Sequence, residues 1–203
     1  MKKTVTIFLA LFVISLLGLP GAINAQSPVD FGIKGGLNFA TFHGSDSDYE
    51  TLSDYTVGIA VDISLPALPI DIESGVYYSH KGAQADGGSV RLNVEYIELP
   101  VLAKYNLGLS DLLNPHIVLG PYAGYAINSN ARGITFSNVD SLEDFTNEFD
   151  FGLMGGLGAD LNVAVTTVNI QTRYSYGITS VFDDGFDADA NNGVFSIVAG
   201  IMF

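Results

Sequence analysis

The feature that most constrains this chain is a two-residue alternation of apolar and polar side chains, repeated in eight segments. In the clearest segment Val168, Ile170, Thr172, Tyr174, Tyr176 and Ile178 alternate with Asn169, Gln171, Arg173, Ser175 and Gly177. Successive side chains of a strand point to opposite faces, so this segment reads as an amphipathic strand of about ten residues. The same reading applies to Phe31–Phe39, Thr56–Leu65, Ile70–Lys81, Ile97–Tyr105, Ile117–Ile127, Phe149–Asp160 and Phe195–Phe203. Pro100 interrupts the ladder of the fourth segment, where the assignment of faces rests on Glu98, Leu102 and Lys104 alone.

The links between these segments alternate in length. Short ones hold Pro66 to Pro69, Gly108 to Pro115 and Asn162 to Val165; long ones run from His43 to Asp54, Gly82 to Arg91, Asn128 to Glu148 and Thr179 to Asn192. Short turns at one end and long polar loops at the other are the plan of an outer-membrane barrel. The pattern therefore predicts an all-β fold, an eight-stranded antiparallel up-and-down transmembrane β-barrel following an N-terminal signal peptide. Closure satisfies every backbone N–H and C=O where hydrocarbon offers no water, and leaves no edge strand. A water-soluble sandwich also produces amphipathic strands. Against it stand Phe and Tyr near the strand ends, opposite charges at mid-strand on the polar faces, and a terminal Phe203.

The amino terminus predicts export. Lys2 and Lys3 precede an apolar run from Val5 to Leu19, then Pro20, Gly21 and a stretch ending Asn24-Ala25-Gln26. This is the tripartite plan of a signal peptide. Its apolar run is too short for the roughly 20 residues that a membrane-spanning helix needs. The expected organisation is a signal peptide over residues 1–25 and a barrel over 26–203. The chain carries 22 acidic against 8 basic residues, a net charge of −14, which excludes a nucleic-acid groove with its basic stripe. Zero Cys removes disulfides, zinc knuckles, iron–sulfur clusters and thiol catalysis.

Several stretches resemble the outer-membrane β-barrel domain family, of the porin-like, PorT-type group common in Bacteroidota. They are Gly32-Ile33-Lys34-Gly35-Gly36-Leu37-Asn38, Glu73 to Gly82, Tyr96-Ile97-Glu98-Leu99-Pro100-Val101-Leu102-Ala103-Lys104-Tyr105, and Gly120-Pro121-Tyr122-Ala123-Gly124. The resemblance implies a barrel in the outer membrane of a Gram-negative bacterium, surrounded by outer-membrane lipids. It also implies recognition of the terminal Phe203 by the barrel-assembly machinery.

Ten charged residues fall on the inward register: Lys34, Lys81, Lys104 and Arg173 with Asp62, Asp71, Glu73, Glu98, Asp150 and Asp160. Eight strands enclose an interior just wide enough for side chains to fill, so these groups are expected to pair as a lumen network, with Lys34, Glu98 and Lys104 foremost. The expected role is structural or in surface interaction with an extracellular partner, with a narrow porin-like channel as the first alternative. The second is a rim hydrolase or acyltransferase using His43 or His80, with Ser45, Asp46 and Ser47 beside His43. No catalytic motif surrounds any of the three His residues, and no cofactor or metal is expected. Gly155-Gly156-Leu157-Gly158 reads as close packing within the barrel. The acidic loop residues Asp46, Asp48, Glu50, Asp54, Asp140, Glu143, Asp144, Glu148, Asp183, Asp184, Asp187 and Asp189 read as solvated. Asp187 to Gly193 departs from a calcium loop, its Gly one place late and no Glu closing it.

Overall fold

A computed structural model describes residues 29–44, 50–65, 68, 70–85, 90–110, 112–132, 148–180 and 190–203. The expected signal peptide and most acidic loop residues, Asp46, Asp48, Asp140, Glu143, Asp144, Asp183, Asp184, Asp187 and Asp189 among them, lie outside these. Eight strands follow in chain order: β1 (Val29–Gly44), β2 (Glu50–Ser64), β3 (Ile70–Ala85), β4 (Val90–Asn106), β5 (Leu113–Arg132), β6 (Phe149–Val163), β7 (Thr166–Ser180) and β8 (Ala190–Met202). Each pairs antiparallel with its sequence neighbour, and β1 pairs with β8 to close the barrel. The closing ladder runs from Gly32↔Met202 to Gly44↔Ala190. Phe31 and Phe203 extend it by exchanging backbone hydrogen bonds of 3.1 and 2.7 Å, so the last residue seals the seam.

Burial is inverted relative to a water-soluble barrel, and this decides between the two readings of the alternation. Lys34, Glu73 and Lys81 are each 1% exposed, whereas Ile33 is 61%, Leu119 62% and Leu157 62% exposed. Along the apolar band the most exposed large side chains point away from the barrel axis, and the ion-paired charges point into it. Hydrocarbon is the medium that makes this arrangement favourable. On the outer face Phe31, Tyr105 and Phe203 sit near the short turns. Phe39, Tyr55, Tyr78, Tyr125, Phe151 and Phe195 form a second level, with Phe39 against Phe195 at 6.3 Å and Tyr55 against Tyr78 at 6.2 Å. From Phe31 to Phe39 the strand climbs roughly 20 Å after tilt, close to the apolar height of such barrels.

The strands are longer than expected, 13 to 20 residues where about ten were read from the alternation. Part of each long link is strand that continues past the upper aromatic level: Asn93 pairs with Asn130, Arg91 with Arg132, and Phe42 with Asn192. Glu50 and Asp54 consequently belong to β2 and not to a loop. Above the apolar band a strand needs only backbone partners, so its side chains lose the alternation that marks it in sequence. The short-turn end is tight: β6 and β7 are joined by Ala164 and Val165 alone, with Ala164 at φ 54°. That positive φ is a strained conformation for a residue with a Cβ, held here by the two-residue turn.

Glycines face the lumen where large side chains need room. A Cβ on Gly158 would collide with His116 Nε2, and one on Gly152 would lie 2.7 Å from the Tyr122 ring. Pro100 does not displace the register of β4. It pairs with Tyr122 of β5, and its carbonyl accepts a hydrogen bond of 2.8 Å from Ser74 Oγ. Leu102 and Lys104 accordingly stay inside the barrel, at 0% and 4% exposed.

Candidate functional site

The ten inward charges are distributed over three layers along the barrel axis. Nearest the short turns, Lys104 of β4 places its ammonium between Asp62 of β2 at 2.7 Å and Asp160 of β6 at 2.6 Å. Asn169 donates to the second oxygen of Asp160 at 2.5 Å. Asp71 lies at the same end but accepts from the Asn106 amide, also at 2.5 Å, in place of a cation.

In the middle layer Glu73 of β3 is the centre. Its carboxylate takes Lys34 of β1 at 2.9 Å, the Arg173 guanidinium of β7, and the Gln171 amide at 2.7 Å. Arg173 Nε donates to Gln171 Oε1 at 2.6 Å, which orients the amide so that its nitrogen faces both Glu73 and His116 Nε2, the latter at 3.0 Å. Since that nitrogen only donates, His116 Nε2 accepts, and the imidazole proton belongs on Nδ1, which faces the Asn114 carbonyl at 3.4 Å. Gln171 thus joins the middle layer to the lower one.

In the upper layer Lys81 of β3 meets Glu98 of β4 at 2.5 Å and Asp150 of β6 at 3.0 Å. Its ammonium also lies 4.3 Å from the Tyr122 ring centre and 5.2 Å from that of Tyr96. Two rings and two carboxylates therefore enclose one cation, a favourable setting for a desolvated ammonium. Asp150 is held further by Asn192 at 3.0 Å and by the Tyr122 hydroxyl at 3.3 Å.

Nine of the ten residues join ion pairs, but not as a single cluster. Lys34, Glu98 and Lys104, expected together, occupy three different layers, because parity assigns a face and says nothing of height. Between the charged groups Leu102, Val118, Tyr122 and Met154 form one apolar cluster, and Ala60, Tyr77 and Met202 another. The interior is therefore packed with side chains. Among the described residues, no group of three His, Asp or Glu is arranged to hold a metal ion.

Sequence reading missed the neutral members. Gln171 and Asn169 share the parity of Arg173 and could have been enlisted by it; His116 shares the parity of Val118. Asn192 fell within an expected loop and carried no signal.

A separate polar group sits toward the long-link end, around Tyr55 and Tyr78. Asp54 accepts from Asn93 at 2.9 Å and lies 3.3 Å from His80 Nδ1, while Glu95 accepts from Tyr78 at 2.8 Å and Asn128 at 3.2 Å. The His80 ring packs on Tyr55 at 4.6 Å and against the Tyr78 ring at 4.9 Å. Here β2 and β3 are out of register between Thr51 and Thr56, which frees Asp54 to reach across. His43, Ser45, Asp46 and Ser47 give no rim site to compare with it, since their side chains lie outside the description. Neither His80 nor His116 has a hydroxyl partner among the described residues.

A family model for the outer membrane protein beta-barrel domain matches residues 24–183. Among solved structures, Neisserial surface protein A (NspA) is 13% identical, covering 85% of this chain and 97% of that one, with a TM-score of 0.54. OprG from Pseudomonas aeruginosa is 15% identical, covering 88% and 97%, with a TM-score of 0.51. A major outer membrane protein from Thermus thermophilus is 12% identical, covering 87% and 99%, with a TM-score of 0.52. At these identities the likeness is one of fold. No curated protein sequence matches the chain.

Proposed function

From the premise that this chain belongs to the outer membrane protein beta-barrel domain family, we propose that this integral outer-membrane barrel works through its outer surface and its loops, not through its lumen. The observation that carries the proposal is the filled interior. Three layers of paired charges and two apolar clusters occupy the axis, and each ammonium or guanidinium is anchored to a carboxylate on another strand. Moving a hydrated ion through would require separating buried pairs, and breaking one costs about 3–5 kcal/mol.

The strands rise past the upper aromatic level, as a surface-exposed scaffold would. Lys2, Lys3 and the apolar run to Leu19 support delivery by a signal peptide cleaved after Ala25. The terminal Phe203, paired into the closing seam, supports assembly by the barrel-assembly machinery. Outer-membrane lipids contact the apolar belt, and any extracellular partner would be engaged at the acidic outer links.

Planar-bilayer recording of the refolded barrel tests the proposal. The expected trace is flat, with no discrete steps under applied voltage. Reproducible single-channel steps from the purified barrel would overturn it in favour of a narrow channel.

A further inference from the structure

Between the upper and middle charge layers lies a small cavity with about 20 Å³ of room for the centre of a water-sized sphere. Its walls are polar on several sides, with Asn38, Tyr77, Ser79, Glu98, Ser175 and Ser196 among them. Tyr77 is 2% exposed, and its hydroxyl makes no hydrogen bond of good geometry within the protein. The Arg173 guanidinium, bonded to Glu73 and Gln171, lies over its ring, 5.7 Å from the centre, and interacts with the hydroxyl without forming a hydrogen bond of good geometry.

The neighbouring groups are half-satisfied in complementary ways. Ser79 Oγ accepts from the Asn38 amide at 2.9 Å, so its own proton is free to donate. Ser196 Oγ donates to Asn38 Oδ1 at 2.8 Å, so its lone pairs are free to accept. Tyr77 can do either. A polar cavity with this volume and two to four such partners meets the requirements for a buried water, whereas the cavities that stay dry are apolar.

We propose that this cavity, between the upper and middle charge layers, is a binding site for one water molecule held by the hydroxyls of Tyr77, Ser79 and Ser196. The water accepts from Ser79 and donates to Ser196, and its remaining bond satisfies Tyr77. The Asn38 amide, fixed by both serines, shapes the site.

A crystal structure of the whole barrel, at a resolution that shows ordered waters, tests this directly. The expected result is one isolated peak within about 2.5–3.0 Å of the three hydroxyl oxygens. Well-defined side chains around an empty centre would overturn the proposal. Tyr77→Phe supplies an independent sign. Removing a hydroxyl that is bonded to water should raise the unfolding constant by roughly two- to tenfold, whereas removing an orphaned one should lower it. A variant more stable than the parent would likewise overturn the proposal.

Discussion

Glu73 is where the account of the lumen is most exposed to test. Its carboxylate is 1% exposed and serves Lys34, Arg173 and Gln171 together. Glu73→Gln keeps the shape and removes the charge, leaving two buried cations facing one neutral amide. Breaking a buried pair by removing one partner costs about 3–5 kcal/mol, which multiplies the unfolding constant by roughly two to four orders of magnitude. Asp71→Asn is the matched control: same strand, same face, same charge removed, but with the Asn106 amide as its one side-chain partner among the described residues. It should cost under about 1 kcal/mol, as partly exposed charges do. The chain has no Trp, so the folded fraction is best read by gel mobility of unheated samples after equilibration with urea in lipid vesicles. Arg173→Met and the double variant complete a cycle, in which the double variant should cost clearly less than the two single changes added together. Equal effects of Glu73→Gln and Asp71→Asn, or strict additivity in the cycle, would refute the pairing argument.

The remaining predictions draw on other parts of the barrel. The Glu73→Gln penalty should persist in 1 M salt, where the Debye length is about 3 Å, because a buried pair is screened little; repeating the urea series in salt checks this. Gly158→Val would drive its Cβ into His116 and Gln171, lowering stability by about 1–3 kcal/mol or more and reducing the yield of folded barrel in refolding gels. Val57→Arg puts a cation on the lipid face, where Val57 is 50% exposed and pairs with Gly35 midway between Phe31 and Phe39, and should cost roughly 2–4 kcal/mol in vesicle refolding. Mass spectrometry of protein recovered from the outer membrane should find Gln26 as its first residue.

The alternation carried the architecture because hydrocarbon outside and charge inside impose opposite demands on neighbouring residues. Ile170 and Arg173 could not exchange faces without burying apolar side chains among charges and exposing a guanidinium to lipid. Strand parity therefore assigns these charged residues to the inward face. It could not supply their heights, which depend on strand tilt and stagger: Glu98 and Lys104 share a strand and a face yet belong to different layers. Polar strand ends were illegible for the complementary reason. Asn192 and Asp54 lie toward the long-link end, where the strand needs no apolar outer face and the sequence resembles a loop. Gln171, whose amide joins two layers, has a neutral side chain with no charge to draw attention to it.

An apolar-outside, charged-inside barrel closed by Phe31 and Phe203 makes one physical demand above all, that the protein reside in the outer membrane as a closed sheet resistant to detergent. Cells producing the full chain should be fractionated, and the outer-membrane fraction run on a detergent gel unheated and boiled. The account predicts recovery in that fraction, with different mobilities for the two samples. A soluble periplasmic product with a single mobility would contradict it.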